Sequence, residues 1–584
     1  MQLFGTFRFS DIPFSFGPGD VLELVIGALL AALALAAPWV ERSARALAVR
    51  PRTSMAVLAA LPIVLRLLLL PHHPVPQPNI RDDFGHLLVA DTLLHGRLAN
   101  PTHPWHAFFE TTFVLQQPAY SSIYPPGQGL LLACGRLLFH TPWAGVLIAS
   151  GALAALCYWM LRAWTSPLWA LVGGLLVVCT LGPLNEWMNT YSGGALSAIA
   201  GCLVFGSLPR LCINFRKRDA VLLGLGVAVQ MITRPYECVL LVIAAALYFL
   251  PVLRRPAELR KLVPLTGVAV LAAIPALILT VLQNKAVTGS FTTLPYVLSQ
   301  YQYGVPAALT FAPNPVPHRQ LTPQQELEYK SQRAYHGEEP DTLEKFLLRL
   351  EYRVRFYRFY FFAPLYIALA VFLVSARKYR RIYVLMACAV FALGTNFFPY
   401  LYPRYVAGVA CLFILMSVSG LQTLSAVAVR GQPAGRRAAI LILALCAAQF
   451  LFWYALHVFD DQDVSIALKQ YESWDAINHR DSGERESVER ALKKSPGRKL
   501  VFVSYWPNHL FQHEWVYNAA DIDTSEVIWA RDLGPAEDEK LVRYYPNRSV
   551  WLLEPDAQPP RLSPYGSRKL PHQQSPFEDV QNPN

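Results

Sequence analysis

Two adjacent carboxylates, Asp82 and Asp83, open the stretch NIRDDFGHLL just beyond an apolar run. Neighbouring residues point in different directions, so this pair does not flank one bond as two carboxylates do in glycoside hydrolysis. One acid acting alone suits a displacement whose leaving group is already good and whose attacking hydroxyl needs a general base. A cation beside the departing oxygen completes such a site, and arginine is suited to phosphate. Arginines occur in TRPYE (Arg234, with Tyr236 and Glu237) and in YLYPRY (Arg404, with Tyr405). Further polar residues cluster in SSIYPPG (Tyr124) and NEWMNTYSGG (Asn185, Glu186, Asn189, Tyr191). Each has a plainer reading. Asp83 suits the N-cap of a helix starting near Phe84, the proline pair suits a turn, either arginine alone suits a snorkelling side chain, and Glu237 suits a structural partner for Arg234. Histidines 72, 73, 86, 95, 103 and 106 match no metal-ligand spacing.

The elements that must position these groups are membrane helices. The chain has 584 residues, of which 54% are hydrophobic and 16% charged, with a mean hydropathy of +0.29. Soluble domains carry about a quarter charged residues, and here the apolar residues gather in windows of spanning length. Thirteen windows stand near 21–40, 54–71, 127–139, 143–163, 167–184, 192–213, 219–233, 236–253, 262–284, 354–376, 381–398, 404–428 and 438–458. The fold class is therefore an α-helical polytopic membrane protein of about 11–13 spanning helices, followed by a small α/β domain. The first window lacks the basic flank of a cleaved signal and reads as a spanning helix. All nine cysteines lie in or beside apolar segments without metal spacing, so no disulfide framework is expected.

The net charge of +11 sits in short loops: ERSARALAVRPR, PRLCINFRKRD, RRPAELRK, ARKYRR and RGQPAGRR. That distribution marks cytoplasmic loops rather than a nucleic-acid surface. It puts the N-terminus, the 72–126 loop, TRPYE, the 285–353 loop, YLYPRY and everything after 459 outside. The polar clusters converge on this one side, and juxtamembrane charge gathered in one place marks a functional site. One crossing is in excess between 72 and 209, and the 127–139 window, the shortest, is read as re-entrant or fused with its neighbour. FGHLLVADTLLHG puts Phe84, Leu87, Leu88 and Leu94 on one face of an interfacial helix. The 285–353 loop ends in an amphipathic helix, TLEKFLLRLEYRVRFYRFYFF. Two domains result: 1–458 in the membrane, and a soluble 459–584 with a helix at GERESVERALKK, strands at KLVFVSY, EVIWA and SVWLLEP, and a disordered tail.

The segments RDDFGHLLVADTLLHGRLANPTHP, QQPAYSSIYPPGQGLLLA, NTYSGGA, TRPYE and YPRYVAG, in that order and on that side, resemble the GT-C superfamily of membrane glycosyltransferases. The chain is most similar to bacterial relatives of the protein O-mannosyltransferases and the aminoarabinose lipid A transferases. EWVYNAADIDTSEVIWARDLG is similar to a domain attached to one bacterial branch. The resemblance implies inverting transfer of a hexosyl or pentosyl group from a polyprenyl-phosphate sugar to a protein, lipid or polysaccharide acceptor. The reaction would take place at the outer face of the bacterial cytoplasmic (inner) membrane. Asp82 takes the place of the motif's base, and Asp83 that of its second acid, usually Glu. Tyr124 stands where the aminoarabinose branch often has Lys, which shifts the expected phosphate contact to Arg234 and Arg404. Tyr124, Asn189, Tyr191, Arg234, Tyr236, Glu237, Arg404 and Tyr405 are the expected substrate-binding residues. No cofactor beyond the lipid-linked donor is required, and no cluster supports a divalent metal. A glycan polymerase or ligase working through His318 and Arg319 is the alternative, with a lipid-linked glycan transporter behind it.

Overall fold

The computed structural model describes residues 18–567 except 79, 340, 460–482 and 508. All thirteen apolar windows are helical, and among the described residues eleven α-helices begin with proline, among them Pro51–Leu68, Pro126–Phe139, Pro142–Leu161 and Pro235–Tyr248. Proline there loses no hydrogen bond, because the first N–H groups of a helix have no partner within it. Among the described residues, six helices are long and apolar enough to cross a membrane, or eight if each of two bent pairs counts as one span. This is fewer than the 11–13 expected, because several windows are cut short: Pro167–Leu181 has 15 residues and Pro235–Tyr248 has 14. The chain is nevertheless a multi-pass membrane protein. Pro142–Leu161, Ala195–Asn214 and Pro403–Ser425 form its buried centre. Backbones there approach through small residues, and a Cβ on Gly201 would meet the Gly408 carbonyl oxygen at 1.9 Å.

The bundle has two unlike ends. At one, basic side chains tie the helices together: Arg162 donates to Ala48 O at 3.1 Å, Arg210 to Trp159 O at 2.7 Å and Arg380 to Ala163 O at 2.7 Å. At the other lie Asp82, Tyr124, Glu186, Arg234 and Arg404. Pro126–Phe139 does not cross between them. Its first turn packs Gly127 against Ile232 and Thr233, and the helix that follows it carries in its first turn Trp143, which donates to Met188 O at 2.9 Å. Both of its ends therefore lie at the same face, and at about 21 Å it is shorter than a ~30 Å hydrocarbon core. It is a separate helix rather than one fused with its neighbour: His140, at φ +60°, breaks the chain between the two, which approach closely at Gly135 and Gly145. Setting it aside removes the excess crossing.

The interfacial helix is observed as Arg81–Leu94. Its apolar face is covered by protein: Leu88 packs into a core shared with the C-terminal residues, and Leu87 and Leu94 pack towards Trp143. A two-residue hairpin, β1 (Val114–Leu115) and β2 (Ser121–Ser122), follows. The second loop carries Pro295–Tyr303 and Pro323–His336, then the expected amphipathic helix, Leu343–Val354, whose Leu343, Leu347 and Leu348 stay exposed.

In the C-terminal region the expected helix is Gly483–Lys494. The expected strands are β3 (Lys499–Val503), β4 (Val527–Arg531) and β5 (Ser549–Glu554), joined by β6 (Arg561–Pro564). The order is β4-β3-β5-β6, with β3 parallel to β4 and β5, and β6 antiparallel to β5. This sheet does not stand apart from the first loop. Leu88, Phe108, Phe109, Val114 and Tyr120 share one apolar core with Leu500, Phe502, Ile528 and Leu552. Asp91 accepts from Ala520 N at 2.7 Å, and Phe84 stacks on Tyr517 at 4.5 Å. The expected disordered tail, 571–584, lies outside the described residues.

Candidate active site

The first turn of Arg81–Leu94 presents its two acids to different surroundings. Asp82 faces a cavity of ≈ 530 Å³ at the polar end of the bundle. Its Oδ1 accepts from the Tyr124 hydroxyl at 2.6 Å, and its Oδ2 accepts from the Arg404 guanidinium at 2.6 Å. Arg404 also donates to Glu186 Oε1 at 3.1 Å, so one arginine bridges two carboxylates. Burial pushes Asp82 up, but Arg404 and, after it, Arg81 more than reverse this and hold it below the usual carboxylate range. Burial wins at Glu186, which lies above that range despite Arg404. Burial also raises the Tyr124 hydroxyl, and Asp82 adds to the effect, so it remains a donor. His86 lines the same wall, its ring 4.3 Å from Tyr124, and burial pushes it down to about 3.

Asp83 points away from the cavity and is buried. It does not cap the helix; the N-cap is Ile80, without a side-chain bond. Asp83 Oδ1 instead accepts from Tyr191 N at 2.9 Å and the Ser192 hydroxyl at 2.6 Å, fixing the 185–194 loop to the base of the helix. Asn189 and Tyr191 belong to the same support and do not line the cavity. Asn189 accepts from the buried Arg66 at 2.7 Å and donates to Pro183 O and Asn185 O, and the Tyr191 hydroxyl donates to Pro76 O at 2.8 Å. Both side chains are engaged in hydrogen bonds that join neighbouring segments. These satisfy groups that burial would otherwise leave unpaired.

The other expected residues meet on the cavity wall: Tyr124, Arg234, Tyr236, Glu237, Arg404 and Tyr405. Arg234, at the break between Lys217–Thr233 and Pro235–Tyr248, pairs with Glu237 at 3.3 Å and lies over the Tyr405 ring at 4.9 Å. Tyr236 donates to Gly394 O at 2.7 Å. Each cation has an anionic partner, and each sits at a helix end where a polar ligand meets the apolar bundle. Apolar residues such as Phe113, Leu294, Val297 and Leu309 form the remaining wall.

Two charged groups escaped sequence reasoning. Arg81 lines the cavity, lies over Phe113 at 4.3 Å and pairs with Glu328. Its position beside Asp82 was a signal, whereas Glu328, 247 residues away, gave none. His318 and Arg319 lie off the cavity. Arg319 pairs with Glu110 at 2.8 Å and donates to the Tyr303 hydroxyl, and His318 stacks on Tyr301 at 4.1 Å. Among the described residues no group of three or more His, Cys, Asp or Glu side chains is placed to hold a metal ion.

No family model and no curated protein matches the sequence. Among solved structures, ArnT from Cupriavidus metallidurans is similar in its apo state (11% identity, TM-score 0.47, 86% of this chain and 93% of that one). Its form bound to undecaprenyl phosphate gives 12%, 0.48, 85% and 92%. The Archaeoglobus fulgidus oligosaccharyltransferase, tethered to an acceptor peptide, gives 10%, 0.45, 86% and 69%. Identities and scores at this level do not identify the chain.

Proposed function

We propose that the protein is a membrane glycosyltransferase that moves a hexosyl or pentosyl group from a polyprenyl-phosphate donor to an extracytoplasmic acceptor, with inversion. The observation that carries this is the cavity itself: Asp82 is held by Arg404, and Arg234 with its partner Glu237 lines the same wall, where polar helix ends meet apolar residues. The acceptor hydroxyl gives its proton to Asp82 as its oxygen attacks the anomeric carbon. The bond to the phosphate oxygen breaks, and its electron pair leaves on the phosphate. Arg404 and Arg234 stabilise the charge that develops there. With Asp82 as base and Glu237 engaged by Arg234, a single displacement with inversion is the proposed course.

Asp82 held below the usual range is a weak base, which the pairing with Arg404 explains. A phosphate entering the cavity competes for the same guanidinium and so leaves Asp82 the stronger base. Tyr124 then orients the carboxylate, and Asp83 fixes the turn that carries both. The charge rule assigns the basic end of the bundle to the cytoplasm, which supports an extracytoplasmic cavity in the proposed bacterial inner-membrane enzyme. No metal is required by this scheme. The engagement of Arg319 with Glu110 and Tyr303 speaks against the polymerase or ligase reading.

Binding of undecaprenyl phosphate to the purified protein tests the donor side. Arg404→Gln is expected to weaken it at least tenfold, and affinity unchanged in both Arg404→Gln and Arg234→Gln overturns the phosphate assignment.

A further inference from the structure

A second cavity of ≈ 180 Å³ lies where residues 78–84 meet the C-terminal sheet. It opens at the carboxyl ends of β3 and β5, neighbouring parallel strands. From β3 the chain crosses to β4 on one side, and from β5 it turns to β6 on the other. Where connections depart in opposite directions, an open α/β sheet has a crevice at its carboxyl edge, and ligands bind there. The connection after β3 contributes His509 and Trp515, the one after β5 contributes Asp556 and Gln558, and Arg485 and Phe84 close the side.

The lining selects a neutral, polyhydroxylated ligand. Asp556 faces His509 Nδ1 at 2.7 Å, and Arg485 pairs with Glu489 at 3.2 Å while lying over Phe84 at 4.5 Å. Among the described residues lining it, Asp556, Arg485 and Glu514 each thus have a partner of opposite charge. Asp556 keeps lone pairs for hydroxyl groups, and Gln558 offers both donor and acceptor. Trp515, which lines the cavity, supplies an aromatic side chain there, and Asp556 is held in place by the Trp506 backbone N–H at 2.9 Å. The volume lies below the ~300–1,000 Å³ of pockets for larger ligands, which suits one sugar ring.

The pocket is also joined to the candidate active site. Gln512 lines the larger cavity, whereas His509 and His513 on the same segment line the smaller one. Phe511 between them lies 5.4 Å from the Arg81 guanidinium, next to Asp82 in sequence. On the other wall, Asp82 faces the larger cavity and Phe84 the smaller.

We propose that this pocket binds one neutral sugar unit of the acceptor, so that the acceptor is a saccharide. The inference rests on reading the larger cavity as the transfer site. Saturation-transfer NMR on the full-length protein in lipid nanodiscs, with the methyl glycosides of glucose, galactose, mannose and N-acetylglucosamine as probes, tests it. At least one glycoside is expected to bind, at least tenfold more weakly in Gln558→Ala and in Asp556→Asn (both residues line the pocket), and undiminished in Asp82→Asn. Absence of binding by every probe overturns it, as does binding unchanged in the Asp556→Asn, Gln558→Ala double variant or efficient transfer to an unglycosylated peptide. Sugar binding without any transfer from a polyprenyl-phosphate sugar would instead remove the transferase reading; transfer without sugar binding removes only this inference.

Discussion

Replacing Tyr124 with phenylalanine deletes one oxygen and leaves the ring where it is. The ring packs over Gly85 so closely that a Cβ there would meet Tyr124 Cδ2 at 2.7 Å, and His86 supports its face at 4.3 Å. What disappears is the 2.6 Å hydrogen bond to Asp82 Oδ1. A hydrogen bond to a charged acceptor contributes about 1.5–3 kcal/mol, which is roughly a 10- to 150-fold bias toward the ionised form. Activity that needs Asp82 ionised is complete above its pKa and lost as pH falls through it. Losing the donor raises that pKa, so the acid limb of kcat/KM moves to higher pH in Tyr124→Phe. Well above the limb the rate falls less than about tenfold, because the freed carboxylate is a stronger base. The assay is transfer from a radiolabelled polyprenyl-phosphate sugar, followed from about pH 4 to pH 8 in both proteins. A limb that stays in place, or moves to lower pH, refutes the reasoning.

Other substitutions separate support from chemistry. Asp83→Ala strips Tyr191 N and Ser192 of their acceptor and should lower stability by about 1–3 kcal/mol, read as a drop in thermal midpoint. His86, pushed down to about 3 by burial, stays neutral from pH 5 to 8, so His86→Gln should keep the shape of the pH–rate profile across that range; a lost limb would contradict this. Arg319→Ala leaves the buried Glu110 without its cation, costs about 1–3 kcal/mol of stability, and should leave transfer in the folded protein within a few-fold of the parent. Complete loss of transfer in a folded Arg319→Ala protein would revive the ligase reading.

The membrane helices were legible because spanning length and hydropathy are properties of short windows, and proline marks where they start. Pro126–Phe139 shows the limit: its composition is apolar, yet its place on one face depends on Gly127 meeting Thr233 and Trp143 meeting Met188. β3, β4 and β5 were legible from their apolar runs, whereas β6, RLSP, carries no such pattern. The shared core of the first loop and the C-terminal sheet was not, since Asp91 and Ala520 stand 429 residues apart. At the site, residue type found Asp82, Arg234 and Arg404. It did not separate them from Asp83, Asn189 and Tyr191, because a polar residue near a helix end serves equally well to bind a ligand or to satisfy buried backbone. Only the partner distinguishes these tasks.

The central claim is that Asp82 takes the acceptor's proton, and single-turnover transfer by Asp82→Asn tests it most directly. Asparagine keeps the shape and can still accept from Tyr124 or Arg404 but takes up no proton. The account predicts transfer reduced by at least about a hundredfold, in keeping with the loss of a general base, while undecaprenyl phosphate still binds. Transfer at the parental rate in a folded Asp82→Asn protein would contradict it.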